Sequence, residues 1–165
     1  MLLTGKQIAD NGFITLSAYS KVNQSGIDLS VCKIEKIVGG EVRVFKEKTD
    51  VPPTAFQIVP LQNFEGRRMW RLYSGSYALT FNEGCSIPPN ATGFITSRSS
   101  IYRGGAKINS PIWDPGFKTV AMGTTMIVTE TIFIEENARV GQFYMIQNPT
   151  VDDLYNGQFQ NKTNY

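Results

Sequence analysis

Along this chain the alternation of apolar and polar residues changes period once, early, and never changes back. Thr4 followed by Lys6, Gln7, Ile8 and Ala9 has the composition of one short helix through about Asn11, with Thr4 as its cap and Gly12 as its stop. From Phe13 onward short β-rich runs follow one another, separated by Gly, Pro and Asn. They are Ile27 to Ile34, Glu41 to Phe45, Phe56 to Val59, Trp70 to Tyr73, Tyr77 to Phe81, Gly93 to Thr96, Thr119 to Thr129, Ile132 to Ile134 and Val140 to Ile146. Gly39-Gly40 fits a hairpin turn, and Pro52-Pro53 and Pro88-Pro89 mark loops. Many short strands at this spacing predict an all-β fold, a sandwich or a barrel, with one short N-terminal helix. Residues 1–152 read as one domain. Residues 153–165, rich in Asn, Gln, Tyr and Gly with few aliphatics, read as a tail outside the core.

Composition narrows the chemistry. The chain has 165 residues and no histidine, which removes Ser-His-Asp and Cys-His nucleophiles and His-ligated zinc. Proton transfer must then use a carboxylate, Lys, Tyr or Cys with a shifted pKa, or a metal-held water. Sixteen basic and 14 acidic side chains leave a net charge of +2, too small a balance for a nucleic-acid polymer or a membrane surface as partner, so any anion site is local. Cys32 and Cys85 make neither a metal spacing nor a disulfide framework. With no apolar core of a signal peptide and no membrane-length apolar run, the expectation is a soluble cytoplasmic protein, in the host cytoplasm if it is viral.

Three segments concentrate chemistry-bearing residues. In Gly93 to Gly105 a β-run ends in Ser97-Arg98-Ser99-Ser100, followed by Arg103 and two glycines. Guanidinium groups and hydroxyls gathered in this way suit phosphate oxygens, although the same residues also make a solvated turn. Trp113-Asp114-Pro115-Gly116-Phe117 sets a carboxylate between two aromatics that could face a base or a sugar. Asp before Pro-Gly is otherwise a turn residue whose carboxylate accepts backbone N–H groups. Arg139-Val140-Gly141-Gln142 brings a glycine and an amide to the start of a strand.

In this order, together with Leu3-Thr4-Gly5-Lys6-Gln7-Ile8, Gly26-Ile27-Asp28-Leu29, Gly75-Ser76-Tyr77-Ala78-Leu79 and Leu154-Tyr155-Asn156-Gly157-Gln158, these segments resemble the dCTP deaminase/dUTPase superfamily over most of the chain. The resemblance implies a distorted β-barrel or jelly-roll and a homotrimer whose sites lie between subunits, binding a deoxynucleoside triphosphate with Mg²⁺. It implies that Arg98, Ser99, Ser100 and Gln142 hold phosphates and that Arg103 reaches the same site. Phe117 would pack under the deoxyribose, and Asp114 would touch the 3′-hydroxyl or orient an attacking water. Tyr155 and Gln158 would belong to a tail that closes over the triphosphate.

Two departures separate the reactions this family performs. Its deaminases carry a Glu at or beside the position of Thr124, and here no acid occurs from Val120 to Val128. Leu154 replaces the tail lysine, the segment from Arg103 to Asp114 is a few residues short, and the glycine-rich dUTPase tail is absent. The resulting expectation is an enzyme, a dUTPase-like diphosphatase that converts dUTP to dUMP and diphosphate, with Asp114 and Arg103 as the catalytic pair. The alternatives are dCTP deamination, or a non-catalytic nucleotide-binding or interaction member of the family.

Overall fold

The computed structural model of this chain describes residues 1–52 and 55–161. Pro53 and the last four positions of the predicted tail lie outside that set. Helix α1 (Gly5–Asp10) begins at a reciprocal capping box. Thr4 Oγ1 accepts from the Gln7 amide at 3.2 Å, and Gln7 Oε1 accepts from the Thr4 amide at 2.9 Å. Gly12, at φ +68°, follows it in the left-handed region that a Cβ disfavours. Ile8 is fully buried and ties the helix to the barrel.

Strand β3 (Gly26–Ile37) is the spine. Ile27, Leu29 and Val31 point into the core, while Asp28 and Ser30 alternate with them on the opposite face. Its first half pairs with β16 (Arg139–Gln147) on one edge and β2 (Lys21–Asn23) on the other. Its second half pairs with β9 (Gly75–Phe81) and β6 (Phe56–Ile58). Register shifts at Val31/Lys33 and at Arg139/Gly141 bend the sheet where partners change. The main sheet runs β11-β16-β3-β9-β14-β12, with β11 (Ala91–Ser97) and β12 (Ala106–Asn109) at its ends and β14 (Gly123–Val128) between β9 and β12. Its two end strands meet where the Ile108 amide donates to Ser97 Oγ at 2.8 Å. The sheet therefore curls almost to closure, the barrel architecture expected from the sequence.

Among the described residues three small sheets decorate the barrel. One joins β1 (Ile14–Thr15), β10 (Gly84–Ser86) and β13 (Lys118–Thr119). Another joins β7 (Gln62–Phe64), β8 (Arg67–Leu72) and β15 (Ile132–Glu135), with Trp70, Leu72 and Ile134 turned inward. The third is the hairpin of β4 (Arg43–Val44) with β5 (Thr49–Asp50).

The structure corrects the sequence reading in three places. The run from Thr119 to Thr129 divides between β13 and β14 because the chain changes sheets at exposed Val120. Gly39-Gly40 does not close a hairpin, since β3 pairs with β6 and the β4–β5 hairpin is inserted between them. A second helix, α2 (Ser99–Arg103), forms where a turn was expected, anchored by buried Ile101. Both cysteines are free thiols; burial pushes Cys85 up to about 12 and raises Cys32 as well. Among the described residues no helix is long and apolar enough to cross a membrane.

At Gly26, where β2, β3 and β16 come together, an added Cβ would lie 2.3 Å from the Phe143 carbonyl oxygen, which is backbone and cannot yield. Gly26→Ala is expected to destabilise the protein by about 3 kcal/mol, measured as a lower urea midpoint at unchanged slope.

Candidate active site

The register of four strands assembles the site. Thr96 on β11 pairs with Gln142 on β16, Gln142 pairs with Asp28 on β3, and Asp28 pairs with Lys21 on β2. Directly opposed residues share a face, so these four side chains form one row across the sheet, roughly 14 Å long at the usual strand spacing. The row is the floor of a cavity of about 710 Å³. Its walls come from the end of β11 and from α2, with Ser97, Arg98, Ser99, Tyr102 and Arg103, and from Lys107 and Ile108 on β12. The cavity thus opens at the seam where the barrel nearly closes.

Helix α2 explains the choice of residues at this wall. With Ile101 turned into the core, Ser99, Tyr102 and Arg103, spaced i, i+3 and i+4, share the helix face that lines the cavity. Ser100 falls on another face and does not line it. Arg98 is locked before the helix begins. Its Nε lies 3.0 Å from Asp28 Oδ2, its Nη1 donates to the Arg139 carbonyl at 2.9 Å, and its amide donates to the Val140 carbonyl. Arg139 Nε stands 3.9 Å from the same carboxylate oxygen.

Asp28 is almost completely buried, so two guanidinium groups compensate its desolvation. Lys21, Arg98, Arg103 and Lys107 face the cavity against this one carboxylate. The enclosure is cationic although the chain as a whole is nearly neutral. A polyanion with several oxygens fits such a surface, because four positive centres and several hydroxyls can each meet an oxygen.

The structure divides the residues expected at the site into two groups. Arg98, Ser99, Arg103 and Gln142 line the cavity. Asp114 and Phe117 do not: Trp113, next to Asp114, pairs with Gly93 near the other end of β11, five residues before Arg98, or roughly 16 Å along the strand. The Asp114 carboxylate is exposed. Among the described residues no donor reaches it, so it does not serve its own turn, whose closing bond runs from the Phe117 amide to the Asp114 carbonyl.

Phe117 is buried between Trp113 and Tyr155, with edge-on ring contacts at 5.0 and 5.3 Å. Tyr155 therefore belongs to an aromatic cluster that holds the tail to the barrel as far as residue 161. Gln158, expected with Tyr155 in a tail that closes over the triphosphate, is exposed and does not line the cavity, and Gln160 is the amide that anchors the tail. Gln160 donates to the Gly116 carbonyl and accepts from the Lys118 amide, each at 2.9 Å. Thr124 is 2% exposed, and its hydroxyl donates to the Asn109 carbonyl at 2.7 Å. Lys21, Lys107 and the pairing of Asp28 were not identified from the sequence, because only strand pairing between distant segments brings them together.

The family model for dCTP deaminase-like proteins matches residues 3–148. The chain belongs to the dCTP deaminase-like family. It is 30% identical to the deoxyuridine 5′-triphosphate nucleotidohydrolase of Methanocaldococcus jannaschii, over 98% of this chain and 100% of that protein. It is 29% identical to the probable deoxyuridine 5′-triphosphate nucleotidohydrolase of Aeropyrum pernix, over 97% and 98%. In fold it is similar to the 2′-deoxycytidine 5′-triphosphate deaminase of Agrobacterium tumefaciens, with a TM-score of 0.63 and 13% identity, over 87% of this chain and 47% of that one.

The family resemblance implies a divalent cation, and the donor set can be compared with that need. Among the described residues no three His, Cys, Asp or Glu side chains converge on one point, and Asp28 is already paired. Such a set cannot cage a metal by itself, but it suits a cation carried in by phosphate oxygens that keeps most of its waters. Asp28, Thr96, Ser97, Ser99 and Gln142 are among the oxygen-bearing side chains that line the cavity and would meet those waters.

Removing the Asp28 charge leaves two guanidinium groups short of their partner. Asp28→Asn is expected to lower the unfolding free energy by about 2 kcal/mol, less than for a fully buried pair because the Arg98 side chain is 33% exposed. Chemical denaturation of the purified variant measures it.

Proposed function

We propose that the protein hydrolyses dUTP to dUMP and diphosphate. The observation that carries this reading is the cationic cavity on the Thr96–Gln142–Asp28–Lys21 row, whose length and charge suit a triphosphate. The full-length likeness to proteins named deoxyuridine triphosphate nucleotidohydrolases selects the substrate. Arg98, Lys21 and Lys107 bind the phosphate oxygens, Ser99 and Gln142 add neutral hydrogen bonds, and Arg103 meets charge that develops during transfer. Mg²⁺ bound to the phosphates would neutralise further charge and polarise the reacting phosphoryl group. Asp114 orients a water whose oxygen bonds to the α-phosphorus and accepts its proton. The bond from that phosphorus to the bridging oxygen breaks, and the diphosphate leaves with the electron pair.

Asp114 cannot reach the cavity of its own chain, so this reading places it in the cavity of a neighbouring copy within a homotrimer. One surface favours such contact. The sheet face that carries Thr96 and Gln142 continues through the stacked pair Phe94 and Tyr144, centroids 5.2 Å apart, to Ile146 and its bridge partner Leu2, which are 40% and 48% exposed. An apolar strip of this kind, continuous with the site, suits burial against a second copy.

Deamination of dCTP is disfavoured by β14. The ammonia that leaves needs a proton from a positioned acid, this strand carries none, and the Thr124 hydroxyl is already committed to Asn109.

Diphosphate release from dUTP should require Mg²⁺ and fall by about 10²–10⁴-fold in Asp114→Ala, with no ammonia from dCTP. Turnover unaffected by that substitution would sink the mechanism, and deoxynucleotide binding without product would mark a non-catalytic member.

A subunit-spanning site makes a second, independent prediction. Arg98→Ala and Asp114→Ala, each inactive alone, should recover measurable dUTP hydrolysis when unfolded and refolded together, because mixed trimers contain intact sites. A mixture as inactive as its components would overturn the subunit-spanning arrangement.

A further inference from the structure

Glu83 stands between β9 and β10, fully buried, and plays no part in the reaction described above. One of its oxygens, Oε1, accepts from three serine hydroxyls: Ser17 at 2.5 Å, Ser20 at 2.7 Å and Ser30 at 2.7 Å. The other accepts from the Ser30 amide at 2.9 Å. Among the described residues no Lys or Arg pairs with it. A carboxylate in such a place is tolerated only because every oxygen is hydrogen-bonded.

The serines lie next to the cavity in sequence and in register. Ser17 and Ser20 close the turn between β1 and β2, and Ser20 immediately precedes Lys21. Ser30 is the ladder partner of Arg139 and sits two residues beyond Asp28 on the same face of β3. The carbonyl of Tyr19, in the clamped turn, also accepts a long hydrogen bond of 3.5 Å from Arg139. Apolar burial does little to hold this turn, since Leu16 and Tyr19 are both exposed. What fixes it to the barrel is the carboxylate beneath it.

We propose that Glu83 is a positioning residue for the cavity. It clamps the Ser17–Ser20 turn against β3 and so sets Lys21 at the anion-binding floor without itself touching substrate. The inference rests on the reading of the cavity as a triphosphate site.

Because a positioning role is read in binding, the probe is inorganic triphosphate, titrated calorimetrically into the full chain alongside dUTP kinetics. Ser20→Ala removes one of the four hydrogen bonds and leaves the carboxylate partnered by the others. It should weaken triphosphate binding and raise the KM for dUTP about tenfold, the equivalent of one hydrogen bond to a charged group, with kcat within about twofold of wild type. Glu83→Gln should act in the same direction, more strongly, and Ser20→Ala carries the test if that variant does not fold.

Coupling separates positioning from mere stability. In a Lys21→Ala background the Ser20→Ala penalty on triphosphate binding should largely vanish, because the group it aims is gone. Unchanged affinity in Ser20→Ala, or full additivity with Lys21→Ala, would overturn the proposal. A wild-type protein that binds triphosphate and does not turn over dUTP would instead overturn the proposed reaction, and the coupling would still be read in binding.

Discussion

The register of β3 governs both the core and the site. Because side chains alternate with period two, a slip of one residue would send Ile27, Leu29 and Val31 outward and drive Asp28 and Ser30 into the apolar interior. The first three fill the barrel. The other two are buried polar groups on the opposite face, and each demands partners from elsewhere in the chain: Asp28 takes Arg98 and Arg139, and Ser30 takes Glu83. Satisfying them fixes how β16, the β1–β2 turn and the approach to α2 sit against β3. The binding surface is thus a by-product of solving a burial problem, and its cations stand where the fold needs them as well as where a ligand would.

How much of this was legible in the sequence follows from how local each signal is. The capping box at Thr4 and Gln7 and the long β-runs of β3, β9 and β16 depend on neighbours in the chain, and the elements expected there formed. Strands such as Lys21–Asn23 and Ala106–Asn109 are short and rich in polar residues, and they exist because long strands offer them an edge. Helix α2 has only Ile101 as an inward anchor, too little periodicity to distinguish from a turn.

The candidate site divides along the same line. Arg98, Ser99, Arg103 and Gln142 belong to compact motifs and could be read from them. Lys21 and Lys107 have no motif around them and come to line one cavity only through long-range strand pairing, such as that of Asp28 with Gln142 and of Gln142 with Thr96. The distance between Asp114 and the cavity is likewise a property of topology. Trp113 must pair with Gly93 before the motif's place on the barrel is defined.

A chain without histidine suits a reaction whose difficulty is charge, not proton traffic. Transfer of a phosphoryl group is assisted mainly by positioned cations and a metal, which need no group that titrates near neutrality. Four cations facing one cavity around a buried carboxylate supply that. Deamination would ask more of β14, where an acid would have to stand among buried residues and stay available to a leaving amine. Thr124 cannot substitute for it: its hydroxyl is spent on the Asn109 backbone carbonyl, so releasing it would cost the barrel that hydrogen bond. The preference for hydrolysis over deamination therefore rests on what the strand's existing bonds leave free, and not on the missing acid alone.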